Sequence, residues 1–399
     1  MTSKQINASM IRTRPLFAIF AVLILAGLAA FLLLLSFRQY HRAWQIYLVN
    51  FLFWSAVAQG GLLFSMIMHV TKAKWSGALQ NLSEAFVAFF PISLILFLLL
   101  FTGKNYVFPW IGQDLHGKEV WLNIPFLFSR DFAGLLILYG FGFIYVFYAL
   151  KSKIRSGGGI IRKIMAWSRA DHETCRARMT TFAVLYMITY AVVLSLISTD
   201  LMMSMTPHFV STLFGGYFFI KAFFIGLGGL IILASATSLA FEENTLLRTA
   251  HFHDIGKLFF AFCIVWAYFL YAQVMVIWYG NIPEETHYLI ERFHHSAWKL
   301  ILILAFVLSF IIPFFTLISR KAKTKPLLML VLCTLALLGI WLENLLLIGP
   351  ALRFDTAAPV LRVFDVLISL GFPGLMACAV AGLLKSFPEL FLKTEEKVN

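Results

Sequence analysis

The chain has 399 residues, 61% of them hydrophobic and only 13% charged, with a mean hydropathy of +0.86. A soluble domain carries roughly 25% charged residues, so this chain cannot cover itself with a polar surface and must present its outside to lipid. The net charge of +13 would suit nucleic acid, but it is gathered into alternate loops between apolar runs, so it reports membrane topology and not nucleic-acid binding.

No repeated runs of about ten alternating apolar and polar residues occur, which excludes a transmembrane barrel. The apolar runs are instead about twenty residues or longer, enough for a helix to cross the hydrocarbon. The sequence predicts an all-α, polytopic membrane protein of about ten transmembrane helices, near 15–37, 44–70, 83–102, 129–150, 180–203, 212–239, 258–280, 297–319, 325–348 and 358–384. The first run lacks a small-residue cleavage site and reads as a retained helix, not a signal peptide.

Of the 32 Lys and Arg, twenty-two fall in segments 1–14, 71–82, 151–179, 240–257, 320–325 and 385–399, and eight fall in the alternate segments. This bias predicts that both termini lie in the cytoplasm. Between the fourth and fifth runs, Gly157-Gly158-Gly159 has no GK[ST] behind it, so it is no phosphate-binding loop. Ile160, Ile161, Ile164, Met165 and Trp167, interleaved with Arg162, Lys163 and Arg169, suit a short helix on an anionic inner surface or a simple topology anchor.

The fifth and ninth runs end alike. Leu196–Pro207 reads LISTDLMMSMTP and Gly339–Pro350 reads GIWLENLLLIGP, with Asp200 and Glu343 each seven residues before a proline. In the second and sixth runs, Tyr47 precedes Gly60-Gly61 much as Tyr217 precedes Gly228-Gly229. Four runs separate each pair, so the units share an orientation, and a parallel repeat of two four-helix bundles follows. The predicted divisions are 1–43 for the tail and first helix, 44–203 and 204–350 for the bundles, and 351–399 for the last helix and tail.

Ionisable groups in hydrocarbon cost several kcal/mol near a helix centre and need a partner, water or a role. Arg130, Asp131, Asp200, Lys221, His294, His295 and Glu343 lie towards the outer side, and His69, Glu84, His253 and Asp254 towards the inner side. Two clusters with a largely apolar middle suggest two proton half-channels; interfacial ion pairs holding helix ends fit the same residues. Arg130 and Asp131 are adjacent, point about 100° apart and should pair with different helices. Arg362 and Asp365 share a helix face at i, i+3.

Cys175, Cys263, Cys333 and Cys378 lie far apart, without metal, redox or haem-attachment spacing. The chain should therefore hold no iron–sulfur cluster, and no metal site is expected. No histidine lies mid-membrane, which disfavours a b-type haem. His253-Asp254-Ile255-Gly256-Lys257 shares its letters with metal-dependent phosphohydrolases, but it runs straight into a transmembrane helix and reads as a polar helix start.

Two segments go beyond the generic. STDLMMSMTPHFVSTLFGGY at Ser198–Tyr217 and HDIGKLFFAFCIVWAYFLYAQVMVIWYGNIPEET at His253–Thr286 resemble membrane subunits of the NrfD/polysulfide-reductase type, closest to the ActF-like branch of alternative complex III, a quinol:cytochrome c oxidoreductase. The run Trp-Tyr-Gly-Asn-Ile-Pro-Glu-Glu-Thr at 278–286 is the most specific part, and Gln59-Gly60-Gly61 agrees. The resemblance implies two four-helix bundles, no covalently bound cofactor, and menaquinone or ubiquinone as the possible ligand. It implies as partners a homologous ten-helix subunit, a periplasmic iron–sulfur protein and c-type cytochromes. The quinone pocket would fall at Arg130, Asp131 and Asp200. Where quinone-reactive relatives often carry a His before a Gly, this chain reads Phe101-Thr102-Gly103. That departure favours proton movement, or a counterpart role, over direct quinol oxidation by this chain. A secondary transporter, a channel and a purely structural anchor are the competing classes.

Overall fold

The structure is a computed structural model. It describes residues 3–115, 117–153, 171–241, 244–294, 296–352 and 361–392, with side chains from position 15 onward, except at 294 and 296. The segment predicted as an inner-surface helix at 160–169 and the residue His295 lie outside the described residues, and of His294 only the backbone is described.

Ten helices are long and apolar enough to cross a membrane: Pro15–Ser36, Tyr40–Val70, Gly77–Val107, Ile124–Lys153, His172–Met205, Leu213–Phe241, Thr249–Gly280, Ala297–Ile318, Pro326–Leu352 and Val363–Ser386. They are called spans 1 to 10. The described residues form no strand, only an isolated bridge between Thr245 and Leu392. The chain is thus an all-α polytopic membrane protein. Its start defines the near face; odd-numbered spans run from near to far.

Hydropathy and burial are opposed at the two extremes. Span 1 is the most apolar and lies largely on the outside, while span 2 is the least apolar and the most buried. Lipid rewards an apolar exterior, so polar side chains are kept where other helices can partner them. Spans 2, 6 and 9 form the centre. Span 2 packs on spans 3 and 5, span 3 on span 4, and span 4 on span 5; span 6 packs on 7 and 9, span 7 on 8, and span 8 on 9. Span 1 lies along span 10, and both adjoin span 2.

Spans 2 and 6 cross where glycine is required. A Cβ on Gly60 would stand 2.1 Å from the Ala222 carbonyl oxygen, and one on Gly226 would stand 2.3 Å from the Gly60 carbonyl carbon. Backbone against backbone leaves no side chain that could move aside, as in other small-residue crossings in lipid. Gly60 thus meets Ala222 and Gly226 of span 6 backbone to backbone.

Prolines mark the irregular turns. Span 8 opens into a π-turn at Val307–Ile311 just before Pro313. Proline has no N–H for the Ser309 carbonyl, and that carbonyl accepts instead from Cys263 Sγ at 3.3 Å. A 3-10 stretch at Glu84–Phe89 likewise precedes Pro91 in span 3. An amphipathic helix at Pro283–His294, not expected from the sequence, follows span 7. Its signals are those of a helix start: proline at the first position, then Glu284 and Glu285 in the first turn.

Candidate functional site

Spans 2–5 form a first ring and spans 6–9 a second; towards the far end of the first, span 4 carries Arg130-Asp131 in its second turn and span 5 carries Asp200 near its end. Asp131 and Asp200 are wholly buried. The Arg130 guanidinium forks onto Asp200, its Nε donating to Oδ2 and its Nη2 to Oδ1, both at 2.6 Å. Trp121 closes the frame: its indole N–H donates to Asp200 Oδ1 at 3.0 Å, and its carbonyl accepts from Arg130 Nη1 at 3.0 Å. The guanidinium also lies over the Trp121 and Phe126 rings, 3.9 and 4.7 Å from their centroids. Planar charge, fork and ring stacking are the combination arginine provides and lysine does not.

Asp131 is set about 100° round the helix from Arg130. Its carboxyl faces that of Asp200, yet neither oxygen finds a donor among the described residues. A buried carboxyl without donors, beside a second acid already saturated by Arg130 and Trp121, can hold a proton and pass it on.

The second ring holds a different cluster. Lys221 and Glu343 are buried at its centre. Glu343 Oε1 accepts from Tyr217 Oη and from Lys221 Nζ, the latter at 3.1 Å, and Oε2 accepts from Trp266 Nε1 at 3.1 Å. Lys221 also donates to Asn344 Oδ1 at 2.8 Å. Both Glu343 oxygens are satisfied, so this cluster is closed.

Towards the near face, Glu84 Oε1 accepts from Lys153 Nζ at 2.6 Å and from Ser65 Oγ at 3.2 Å, while Oε2 has no partner among the described residues. Ser65 Oγ lies 3.0 Å from Tyr145 Oη. His69 meets the Tyr145 ring edge-on at 6.0 Å and bonds Thr180 Oγ1 at 3.1 Å. On span 7, Asp254 Oδ1 stands 2.9 Å from Lys257 Nζ and 3.5 Å from His253 Nδ1, forming its own group at the helix start.

The structure therefore joins Arg130, Asp131 and Asp200, joins Lys221 with Glu343 elsewhere, and brings Glu84, through Ser65, and His69 to Tyr145. Asp365 does not pair with the Arg362 side chain. Its Oδ2 accepts from the Arg362 backbone N–H at 2.8 Å, and its carboxylate is forked by Arg42 Nε at 2.9 and 3.0 Å.

The largest departure from the sequence reading is the middle of the first ring, which is polar. Tyr139 Oη accepts from Gln59 Nε2 at 2.8 Å and lies 2.7 Å from Ser93 Oγ, which lies 2.6 Å from Ser55 Oγ. All four side chains carry no charge, so a search for ionisable groups passes over them. Their signal is the low hydropathy of span 2, where Ser55, Gln59 and Ser65 sit among apolar residues. In comparisons with known proteins, no family model and no curated protein sequence matches the chain.

Proposed function

We propose that the chain is an integral membrane subunit of a respiratory quinol:acceptor oxidoreductase of the alternative complex III kind, and that it handles protons at the far face. The observation that carries this reading is the Asp131–Asp200 pair: one acid forked by an arginine, the other buried against it without a donor. Quinol oxidation releases two electrons and two protons. In this reading the electrons pass to an iron–sulfur partner, and Asp131, having given its own proton to far-face water, takes one hydroxyl proton as a positioned general base does, the second following the same route. The far face is then periplasmic, in agreement with the excess of Lys and Arg in the near-face loops. The resemblance of Ser198–Tyr217 and His253–Thr286 to membrane subunits of such complexes supports the same reading.

Arg130 and Trp121 would fix Asp200 and offer a flat aromatic and guanidinium surface to a quinone ring. The second ring, with its closed Lys221–Glu343 cluster, would serve as a structural counterpart. The test is purification from the native membrane in mild detergent through a tag on this chain. An iron–sulfur protein, c-type cytochromes and a second ten-helix subunit should come with it, and the preparation should oxidise quinol. A chain that purifies alone, without quinol turnover, contradicts the proposal.

A channel or carrier is the second reading, favoured by the polar middle of the first ring, since carriers bind near the midplane. Uptake of a solute other than protons by the purified chain in liposomes would establish it.

A further inference from the structure

The first ring carries polar groups at three depths. Asp131 lies about 10 Å along span 4 from Ile124, Tyr139 about 22 Å and Tyr145 about 31 Å, and each belongs to a buried cluster. Between the first two depths lies a small cavity lined by Leu135 and Ile197, one turn below Asp131 and Asp200, and by Ser55 and Gln59 of the midplane network. It has room for about one water molecule. Gln59 lines it, is almost wholly buried, and carries an Oε1 without a hydrogen-bond partner. The rest of its lining, Phe51, Leu52, Leu194 and Phe218, is apolar, so Gln59 Oε1 and Ser55 Oγ are the groups that would hold a buried water there.

Below the midplane one dry layer remains. Phe90 stacks on Tyr139 with centroids 4.3 Å apart, and Phe90, Leu62 and Tyr186 crowd the site where Gly142 would carry a Cβ. Beneath that layer the Ser65–Tyr145–Glu84–Lys153 group begins. The second ring shows no such connected series among the described residues: below Lys221 and Glu343 come Cys263 and Ser309, each bonded to a backbone carbonyl, and the buried Ser235, whose hydroxyl has no partner.

We propose that the first ring alone contains a proton path across the membrane, running from Asp131 through a cavity water to Gln59, Tyr139, Ser93 and Ser55, and on to Ser65, Tyr145 and Glu84, with the Leu62–Phe90 layer as its gate. A hydroxyl both donates and accepts, so each of these groups can take a proton on one side and release one on the other. The gate keeps the resting path shut, and a proton crosses when water enters the layer. This deepens the proton role proposed above, but its test needs no quinol.

The test is passive proton flux into liposomes holding the purified protein, driven by a potassium diffusion potential and read by an entrapped pH dye. Leu62→Thr, which wets the gate, should raise flux above that of wild type. Adding Tyr139→Phe, which keeps the ring stack and removes one hydroxyl, should cut that flux about tenfold, and Gln59→Leu should do likewise. Adding Ser309→Ala in the second ring, which removes one hydroxyl bonded to the Ala336 carbonyl, should leave it unchanged. Phe90→Leu thins the same layer and replaces Leu62→Thr if that variant does not fold. Flux no faster than from empty liposomes in both gate variants overturns the proposal, as does flux indifferent to Tyr139→Phe. Proton flux without quinol turnover would keep this path and remove the quinol reading.

Discussion

Breaking the Lys221–Glu343 cluster should reveal how tightly the second ring depends on it. Glu343→Gln removes the negative charge and leaves Lys221, 1% exposed, with Asn344 as its remaining good acceptor. Removing one partner of a buried ion pair costs about 3–5 kcal/mol, because the other charge stays buried and uncompensated. The new Gln also turns a donor amide towards either Trp266 Nε1 or Tyr217 Oη, which both donated to Glu343; each unmet donor adds about 1–3 kcal/mol. Lys221→Met should cost less, since Glu343 keeps its Tyr217 and Trp266 donors. The double variant buries no charge, so it should be more stable than Glu343→Gln alone, with a coupling of at least about 2 kcal/mol. Unfolding in mixed micelles, followed by tryptophan fluorescence with Trp266 inside the cluster, measures all four proteins. Losses that simply add, or single variants within about 1 kcal/mol of wild type, would refute the reasoning.

Other predictions follow from single contacts. Gly60→Ala and Gly226→Ala should each lower the thermal midpoint by an overpacking cost of about 1–3 kcal/mol, whereas Gly140→Ala, with open space around it, should be neutral or gain up to about 1 kcal/mol; equal effects at the three sites would remove the backbone crossing from the account. Arg130→Lys keeps the charge but loses the fork and the stacking over Trp121, so it should lower quinol turnover while complex yield, checked on native gels, stays the same. Arg292 donates to the Tyr288 and Leu347 carbonyls, both at 2.7 Å. Arg292→Leu should therefore loosen the Pro283–His294 helix from span 9 and speed protease cleavage within it, by about five- to thirtyfold for a loss of 1–2 kcal/mol.

The ten spans were legible because burying an apolar helix in lipid is a local property of composition, readable one segment at a time. The rim acids Asp131, Asp200, Glu84 and Glu343 were legible for the same reason, since a charge within an apolar run needs a cause. Their partners were not. Arg130 reaches Asp200 across seventy positions and Arg42 reaches Asp365 across 323, and which helices meet is settled by docking. The i, i+3 spacing suggested Arg362 for Asp365, yet a helix start uses its third residue to cap the backbone, which left the carboxylate open to Arg42. The neutral groups Gln59, Tyr139, Ser55 and Ser93 gave the weakest signal, because a hydroxyl or amide in an apolar run is common and only tertiary contact makes four of them one network. The helix at Pro283–His294 was missed because it is too short and too polar to register as a span.

The central claim is that Asp131 takes the proton which quinol oxidation releases at the far face. The most direct measurement is quinol oxidation by the purified complex, wild type against Asp131→Asn, with assembly checked on the same samples. Asparagine fits the same volume but cannot accept that proton. The account predicts a fully assembled complex with turnover reduced at least about 100-fold. An assembled Asp131→Asn complex that turns over at the wild-type rate would contradict it.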